Sequence, residues 1–249
     1  MSTWILADTH LDHTGAKPMD IFGPVWDNHA EVFSENWRRL IAPDDTVIIA
    51  GDISWSSGSY DVVPDLRLLD QLPGKRKILV KGNHDFWWST RSKTERLFRD
   101  NGLTTLEILF NDAKYIQNEG QDLILVGTRG WKLPSDNDAD GQDKKVFARE
   151  VNRFNLSLQA ADKLLEEGNI SANAELIAAF HYPPLNKWGV GSEMSEIIES
   201  TPIKRVFYGH VHKQHGNDNI LCFEGENNGI TYKNIALDYT NMMPIKITD

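Results

Sequence analysis

Five apolar runs in this chain each lead directly into residue types that bind metal ions. Trp4-Ile5-Leu6-Ala7 is followed by Asp8-Thr9-His10, and Thr46-Val47-Ile48-Ile49-Ala50 by Gly51-Asp52. Lys77-Ile78-Leu79-Val80 leads to Gly82-Asn83-His84-Asp85, Leu176-Ile177-Ala178-Ala179-Phe180 to His181, and Arg205-Val206-Phe207-Tyr208 to Gly209-His210-Val211-His212. Each run has the length and apolar character of a buried strand. In open α/β sheets, ligands bind outside the carboxyl ends of the strands. A fold that lays these strands side by side therefore delivers five polar clusters to one edge. Of the 8 histidines, His10, His84, His181, His210 and His212 sit after predicted strands, and only His13, His29 and His215 lie elsewhere. Histidines placed for packing alone would not sort in this way.

Taken singly, the pieces carry unequal weight. Asp8-x-His10 is an ordinary turn pattern, although residues i and i+2 of an extended segment point to the same side and could meet one ion. Gly51-Asp52 is a common turn pair. His181, before Tyr182-Pro183-Pro184, reads equally as a satisfied loop histidine. Two imidazoles at i and i+2, as in His210-x-His212, rarely have a packing reason. An Asn-His pair after a strand, as in Asn83-His84, calls for one. Convergent His, Asp and Asn side chains mark metal sites, and it is the set that carries the inference.

Between these runs the pattern alternates strand, loop and helix. Helical spacing runs from Val25 to Ile41, over Val62 to Leu69, around Leu97, and from Val146 to Leu165. Pro73-Gly74 stops the second helix. Tyr115-Ile116 and Leu123–Val126 flank a turn and predict a hairpin, and Ile220–Phe223 with Ile230–Leu237 predicts a second. Alternating βα units followed by hairpins imply an α/β fold with two mixed sheets and helices outside. No repeat or low-complexity linker divides residues 1–249, so a single domain is expected.

The net charge of −10 disfavours a nucleic-acid partner, because phosphate contacts need a basic face and no Lys/Arg cluster supplies one. The acidity reads either as a solvated surface or as carboxylates that hold cations for an anionic substrate. No apolar run approaches the roughly 20 residues of a membrane span. Met1 leads into Trp4–Ala7 without a basic n-region, and Cys222 is the only cysteine. These features predict a cytoplasmic protein with no intrachain disulfide.

The order Asp-x-His, Gly-Asp, Gly-Asn-His-Asp, His, Gly-His-x-His resembles the calcineurin-like metallophosphoesterase superfamily, over most of the chain from Asp8 to His212. The segments Lys17-Pro18-Met19-Asp20-Ile21-Phe22-Gly23-Pro24, Phe86-Trp87-Trp88 and Thr128-Arg129-Gly130-Trp131 resemble a bacterial branch of predicted phosphohydrolases. The resemblance implies an α/β/β/α sandwich, with two mixed sheets packed face to face. It implies two divalent metal ions, one held by Asp8, His10 and His212, the other by Asn83, His181 and His210, with Asp52 bridging both. It implies that His84 binds no metal but faces the substrate phosphate and either protonates the leaving oxygen or stabilises the transition state. In the protein-phosphatase branch, Gly-Asp is followed by Asp-Arg-Gly. Here Ile53-Ser54 follows, which sets this chain apart from that branch and leaves the partner of His84 open.

Such a site suits a dinuclear phosphoesterase acting on a small phosphorylated substrate, a monoester or a diester. Two metals acidify a bridging water and neutralise phosphoryl oxygens. Mixed N/O ligands suit Mn, Fe, Zn, Co or Ni. Asp52 and His84 are the candidate catalytic residues, and Asn83, His84 and Arg129 the candidate substrate contacts. Arg129 can clamp a phosphate or form an ion pair. The rival readings are a non-catalytic metal-stabilised scaffold of the same fold, and a calcium-responsive interaction protein. The latter would rest on Asp136-x-Asp138-x-Asp140-Gly141, which begins an EF-hand loop but has Phe147 where the motif needs Glu. Phe86, Trp87 and Trp88 are either core or a stacking wall, and His13, Asn28 and His29 are expected near Asp8.

Overall fold

The computed structural model describes residues 1–168, 170–171, 173–213 and 221–248. One sheet is built from β1 (Thr3–Leu6), β2 (Thr46–Ala50), β3 (Arg76–Val80), β4 (Leu106–Ile108) and the edge strand β11 (Ile245–Lys246). Its order is β11-β1-β2-β3-β4, parallel except for β11. The second sheet contains β5 (Lys114–Ile116), β6 (Leu123–Thr128), β7 (Glu175–Phe180), β8 (Arg205–Tyr208), β9 (Gly225–Asn227) and β10 (Ile230–Asn234). Its order is β5-β6-β7-β8-β10-β9, with a parallel centre and antiparallel edges.

The near-continuous apolar strands follow from burial on both faces. In β1, Trp4 and Leu6 face an outer core with Phe33, Trp37, Leu66 and Phe98 from α1 (His29–Leu40), α2 (Val63–Gln71) and α3 (Arg91–Asp100). Ile5 and Ala7, one residue out of phase, face the other sheet. The second sheet repeats the division. Ala178 and Phe180 pack on Phe154 and Ile198 from α4 (Gly141–Glu166) and α5 (Glu193–Glu199), while Ile177 and Ala179 meet Ile48 and Ile78 between the sheets. The layers are thus α/β/β/α, as the resemblance implied. Ala7 joins the sheets at the carboxyl edge: its N–H donates to Ile235 O at 2.9 Å, and its carbonyl accepts from Leu237 N at 3.1 Å.

Several boundaries differ from the sequence reading. The first helix begins at His29, not Val25, because two 3-10 turns (Asp20–Phe22 and Pro24–Trp26) precede it and Asn28 is left-handed at φ 51°. The tail hairpin forms with Gly225–Asn227 as its first strand. Asn228-Gly229, at φ 52° and 74°, supplies the turn, a pairing of positive φ values that matches strand twist. Leu221–Phe223 lie in no strand, with Cys222 buried in the outer core. Ile220 and His215 fall outside the described residues. The short elements β4, β11 and α5 were not anticipated.

Candidate metal centre

The carboxyl ends of β1, β2, β3, β7 and β8 bring their polar clusters together. Among the described residues, two groups of metal-ligating side chains converge: Asp8, His10 and His212, and Asp52, His181 and His210, with ligand atoms in each group within 4.8 Å of one another. Asp52 lies between them and presents one oxygen to each side. Its Oδ1 is 3.3 Å from His181 Nε2, and its Oδ2 is 3.8 Å from His10 Nε2. Asn83 joins the second group, with Oδ1 2.7 Å from His181 Nε2.

The loops that carry these side chains are held by close backbone approach. A Cβ on Gly82 would overlap Asp52 N and Oδ1, and one on Gly209 would overlap the Asp8 carboxylate and Ala7 Cβ. Asp8, His10, Asp52 and His210 have φ of 63°, 42°, 49° and 68°. Left-handed backbone is unfavourable for such residues and clusters at functional sites. Asp85 is buried and ties two loops together, accepting from Gly82 N at 2.7 Å, Ile53 N at 2.9 Å and Trp87 Nε1 at 3.0 Å.

Outer partners fix the imidazole orientations. His212 Nδ1 lies 3.1 Å from Asp238 Oδ1, and His181 Nδ1 lies 3.1 Å from Ala50 O. Both rings therefore turn Nε2 inward, as metal-ligating histidines do. His10 Nε2 and His212 Nε2 are 3.1 Å apart. Asp8 Oδ1 and His10 Nδ1 are buried without partners. Unpaired buried groups of this kind are rare, and a donor set of imidazole, carboxylate and amide oxygen fits borderline divalent cations.

The protonation balance is strained. Burial pushes the Asp8 carboxyl up to about 7, against the pull of His212 and His181. Burial would also raise Asp52, but His181, His10 and His84 hold it well below the usual carboxylate range. Burial alone would lower His181, yet the Asp52, Asp8 and Asp85 carboxyls push it up to about 9. His210 is driven down to about 2 by burial and by His181. A bound cation must displace the His181 proton, so binding releases protons.

The family model described as calcineurin-like phosphoesterase matches residues 1–214. The chain belongs to that family. A UPF0046 protein of Caenorhabditis elegans is 24% identical over 194 residues, which span 73% of this chain and 61% of the relative. The Gene 66 protein of Mycobacterium phage L5 is 32% identical over 84 residues, 34% of this chain and 40% of the phage protein. The matches thus span less than two thirds of either relative. Among solved structures, the phosphopantetheinyl hydrolase of Mycobacterium tuberculosis superposes with TM-score 0.58 at 15% identity, covering 99% of this chain and 95% of that one. A protein of unknown function from Aquifex aeolicus superposes with TM-score 0.50 at 19% identity, covering 98% and 95%. These two likenesses speak to the fold.

The remaining candidates take varied positions. His84 donates its backbone N–H to Asp52 Oδ1 at 2.8 Å, and its Nε2 is 3.9 Å from Asp52 Oδ2. Its ring packs against Trp55, with centroids 4.1 Å apart. Trp55 also stacks on His10 at 5.0 Å. An indole thus stands beside His84. Arg129 NH2 is 3.0 Å from Oε1 of buried Glu150, and its guanidinium lies 4.3 Å from the Trp131 ring. His29 Nε2 approaches His10 O at 3.3 Å, and His13 approaches Asp65 at 3.5 Å. Trp87 and Trp88 are core, while Phe86 is exposed with its edge toward His84.

The three carboxylates of the Asp136 loop have separate partners. Asp136 accepts from Leu133 N, Asp138 pairs with Lys132 at 2.7 Å, and Asp140 caps α4 through Gln142 N and Asp143 N. Sequence reasoning missed Asp238, Trp26 and Trp55, and it placed Asp85 in a cluster without assigning its role in tying the loops. Asp238 follows the last strand of the second sheet without any local motif, and only the three-dimensional pairing with His212 exposes it.

A cleft of about 710 Å³ opens at His10, Asp52, His84 and His212. A second, of about 530 Å³, lies on the other side of His210 and is lined by Trp131, Tyr182 and Trp188. No helix among the described residues is long and apolar enough to cross a membrane.

Proposed function

We propose that the chain, acting as one domain over residues 1–249, is a dinuclear-metal hydrolase of a small phosphate ester. One observation carries this reading: Asp52 presents Oδ1 to the His181 side and Oδ2 to the His10 side of two adjacent ligand groups. That is the geometry a bridging carboxylate requires. Asp8, His10 and His212 would hold one divalent ion, and Asn83, His181 and His210 the other. Two such ions, Mn, Fe, Zn, Co or Ni by donor type, supply acidified water and neutralise phosphoryl charge.

The residues of the chain do the rest. Asp238 and Ala50 O hold His212 and His181 in the orientation that leaves Nε2 facing inward. His84, half-buried and oriented by its backbone bond to Asp52 and by Trp55, reaches over the cleft and gives a proton to the leaving alkoxide. Asn83 lies beside the same phosphate position. Arg129 reaches a phosphate only if it leaves Glu150. The clefts beside the centre, about 710 and 530 Å³, have room for a small organic phosphate.

The test is hydrolysis of p-nitrophenyl phosphate and bis-p-nitrophenyl phosphate by metal-stripped protein with and without added Mn²⁺, with Asp52→Asn as control and metal content measured in parallel. Metal-dependent turnover that disappears in the control is expected. Protein that binds no metal would overturn the reading.

A further inference from the structure

The segment Lys17 to Pro24 forms one wall of the larger cleft. Its two 3-10 turns are joined by Gly23 at φ 129°, a conformation open to glycine. This arrangement puts Met19, Phe22 and Trp26 on the cleft together, facing Trp55 and His84. Three of the four apolar side chains are fixed. Met19 and Trp26 are buried, and Trp55 Nε1 reaches Met19 Sδ at 3.3 Å. The two indoles rest on candidate metal ligands, Trp26 edge-on to His10 and His212, and Trp55 stacked on His10.

Phe22 differs. It is 53% exposed although it lines the same cleft as buried Asp52 and His10. A large aromatic left half-open beside the candidate centre presents a flat apolar face to the cleft. The other cleft mixes three aromatic rings, Trp131, Tyr182 and Trp188, with Lys132, Asp136, Asp138 and Lys187, so its surface is more polar than the one Phe22 lines. A ligand with a polar end and a flat apolar end would therefore place its apolar end against Phe22.

We propose that this cleft seats a flat aromatic ring carried by the alcohol portion of the substrate, stacked on Phe22 while the phosphate lies at the metal centre. The proposal rests on the phosphoesterase reading and narrows its substrate class to aryl-bearing organic phosphates. Phe22 is a specificity-determining residue, and the polar cleft beyond His210 faces the opposite side of the phosphate.

Titration calorimetry with two ligands that cannot be hydrolysed tests this on the Mn²⁺-supplemented protein. 2-Phenylethylphosphonate and ethylphosphonate share a headgroup and differ by one ring. The ring is expected to tighten binding about tenfold, as stacking and burial of one aromatic face allow. In Phe22→Ala the ratio should fall below about threefold, and in Phe22→Tyr, which keeps the face, it should persist. Equal binding of the two ligands by the wild-type protein would overturn the proposal and leave the phosphoesterase reading standing. An unchanged ratio in Phe22→Ala would equally overturn it. Failure of both phosphonates to bind would remove the phosphoesterase reading as well.

Discussion

Replacing Asp8 with Asn should stabilise the metal-free protein and weaken the metal-loaded one. Asp8 is fully buried, its Oδ1 has no partner, and burial pushes its pKa up to about 7. A carboxyl whose folded pKa lies above its unfolded value favours folding at low pH, and that contribution is lost as pH rises through the folded value. A rise from about 4 to about 7 corresponds to a ceiling of roughly 4 kcal/mol. The amide keeps the bond from His210 N to Oδ2 (3.0 Å in the wild type) and offers an N–H toward His212 Nε2, which lies 3.5 Å from Oδ1. The rise to about 7 is already net of the attraction to His212 and His181; because the amide's own hydrogen bonds are imperfect, we expect about half the ceiling, roughly 2 kcal/mol at pH 8. For a chain of this size that is a Tm increase of about 4–8 °C. Mn²⁺ at 100 times its Kd should stabilise the wild-type protein by about 2.7 kcal/mol and the variant by much less, so the order of Tm values should reverse on adding metal. The assay is thermal unfolding of both proteins at pH 5 and pH 8, with and without Mn²⁺. The gap between the metal-free proteins should shrink at pH 5, where Asp8 is protonated in the folded state. A metal-free variant less stable than the wild type at pH 8, or equal metal stabilisation of both, would refute the reasoning.

Further outcomes follow from the same geometry. The metal-free wild type should also lose stability between about pH 6.5 and 9 as His181, held charged up to about 9 by Asp52 and Asp8, deprotonates; urea unfolding across that range measures it. His84→Ala should slow hydrolysis of alkyl phosphates by about 10²–10⁴-fold and that of p-nitrophenyl phosphate far less, because a good leaving group needs little protonation; kcat for the two ester types decides. Gly82→Ala would drive a methyl into Asp52, so both Tm and metal content should fall. Arg129→Met removes the closer of the two arginines paired with buried Glu150, leaving Arg153 at 3.7 Å and the Thr128 hydroxyl, and should destabilise by about 1–3 kcal/mol; an unchanged Tm with a raised KM would instead favour phosphate contact.

The parts legible in the sequence were those written locally. Strands such as Val47–Ala50 are buried on both faces, so composition alone marks them, and each ends in its ligand cluster. Metal chemistry confines such ligands to a few residue types, which marked the clusters, while the sorting of seven positions from Asp8 to His212 into two sets came from the family resemblance. The two-residue strand β11 and the three-residue strand β4 carry too few residues to show a period, and they exist because neighbouring strands offer open edges. The helix start was misplaced because Val25 and Trp26 keep helical spacing while Asp27 and Asn28 leave the helical region. Asp238 and Trp55 went unseen because each acts on a histidine from another part of the chain.

The scaffold alternative meets its strongest objection in the backbone. Among the described residues, nine non-glycine residues have positive φ; six are Asn or Asp, the types that adopt it most readily, and the others are His10, His210 and Met242, so four of the nine are the candidate ligands Asp8, His10, Asp52 and His210. Left-handed backbone carries a penalty of order 1 kcal/mol or more each, and here it falls on Asp8, His10 and Asp52, whose side chains are also buried. A staple would need neither: one tetrahedral ion on relaxed loops stabilises a fold at lower cost. Positive φ at four candidate ligand positions and a carboxylate facing two ligand groups are what the proposed two-cation site would require, because bound cations would convert the unfavourable burial of Asp8 and Asp52 into binding energy.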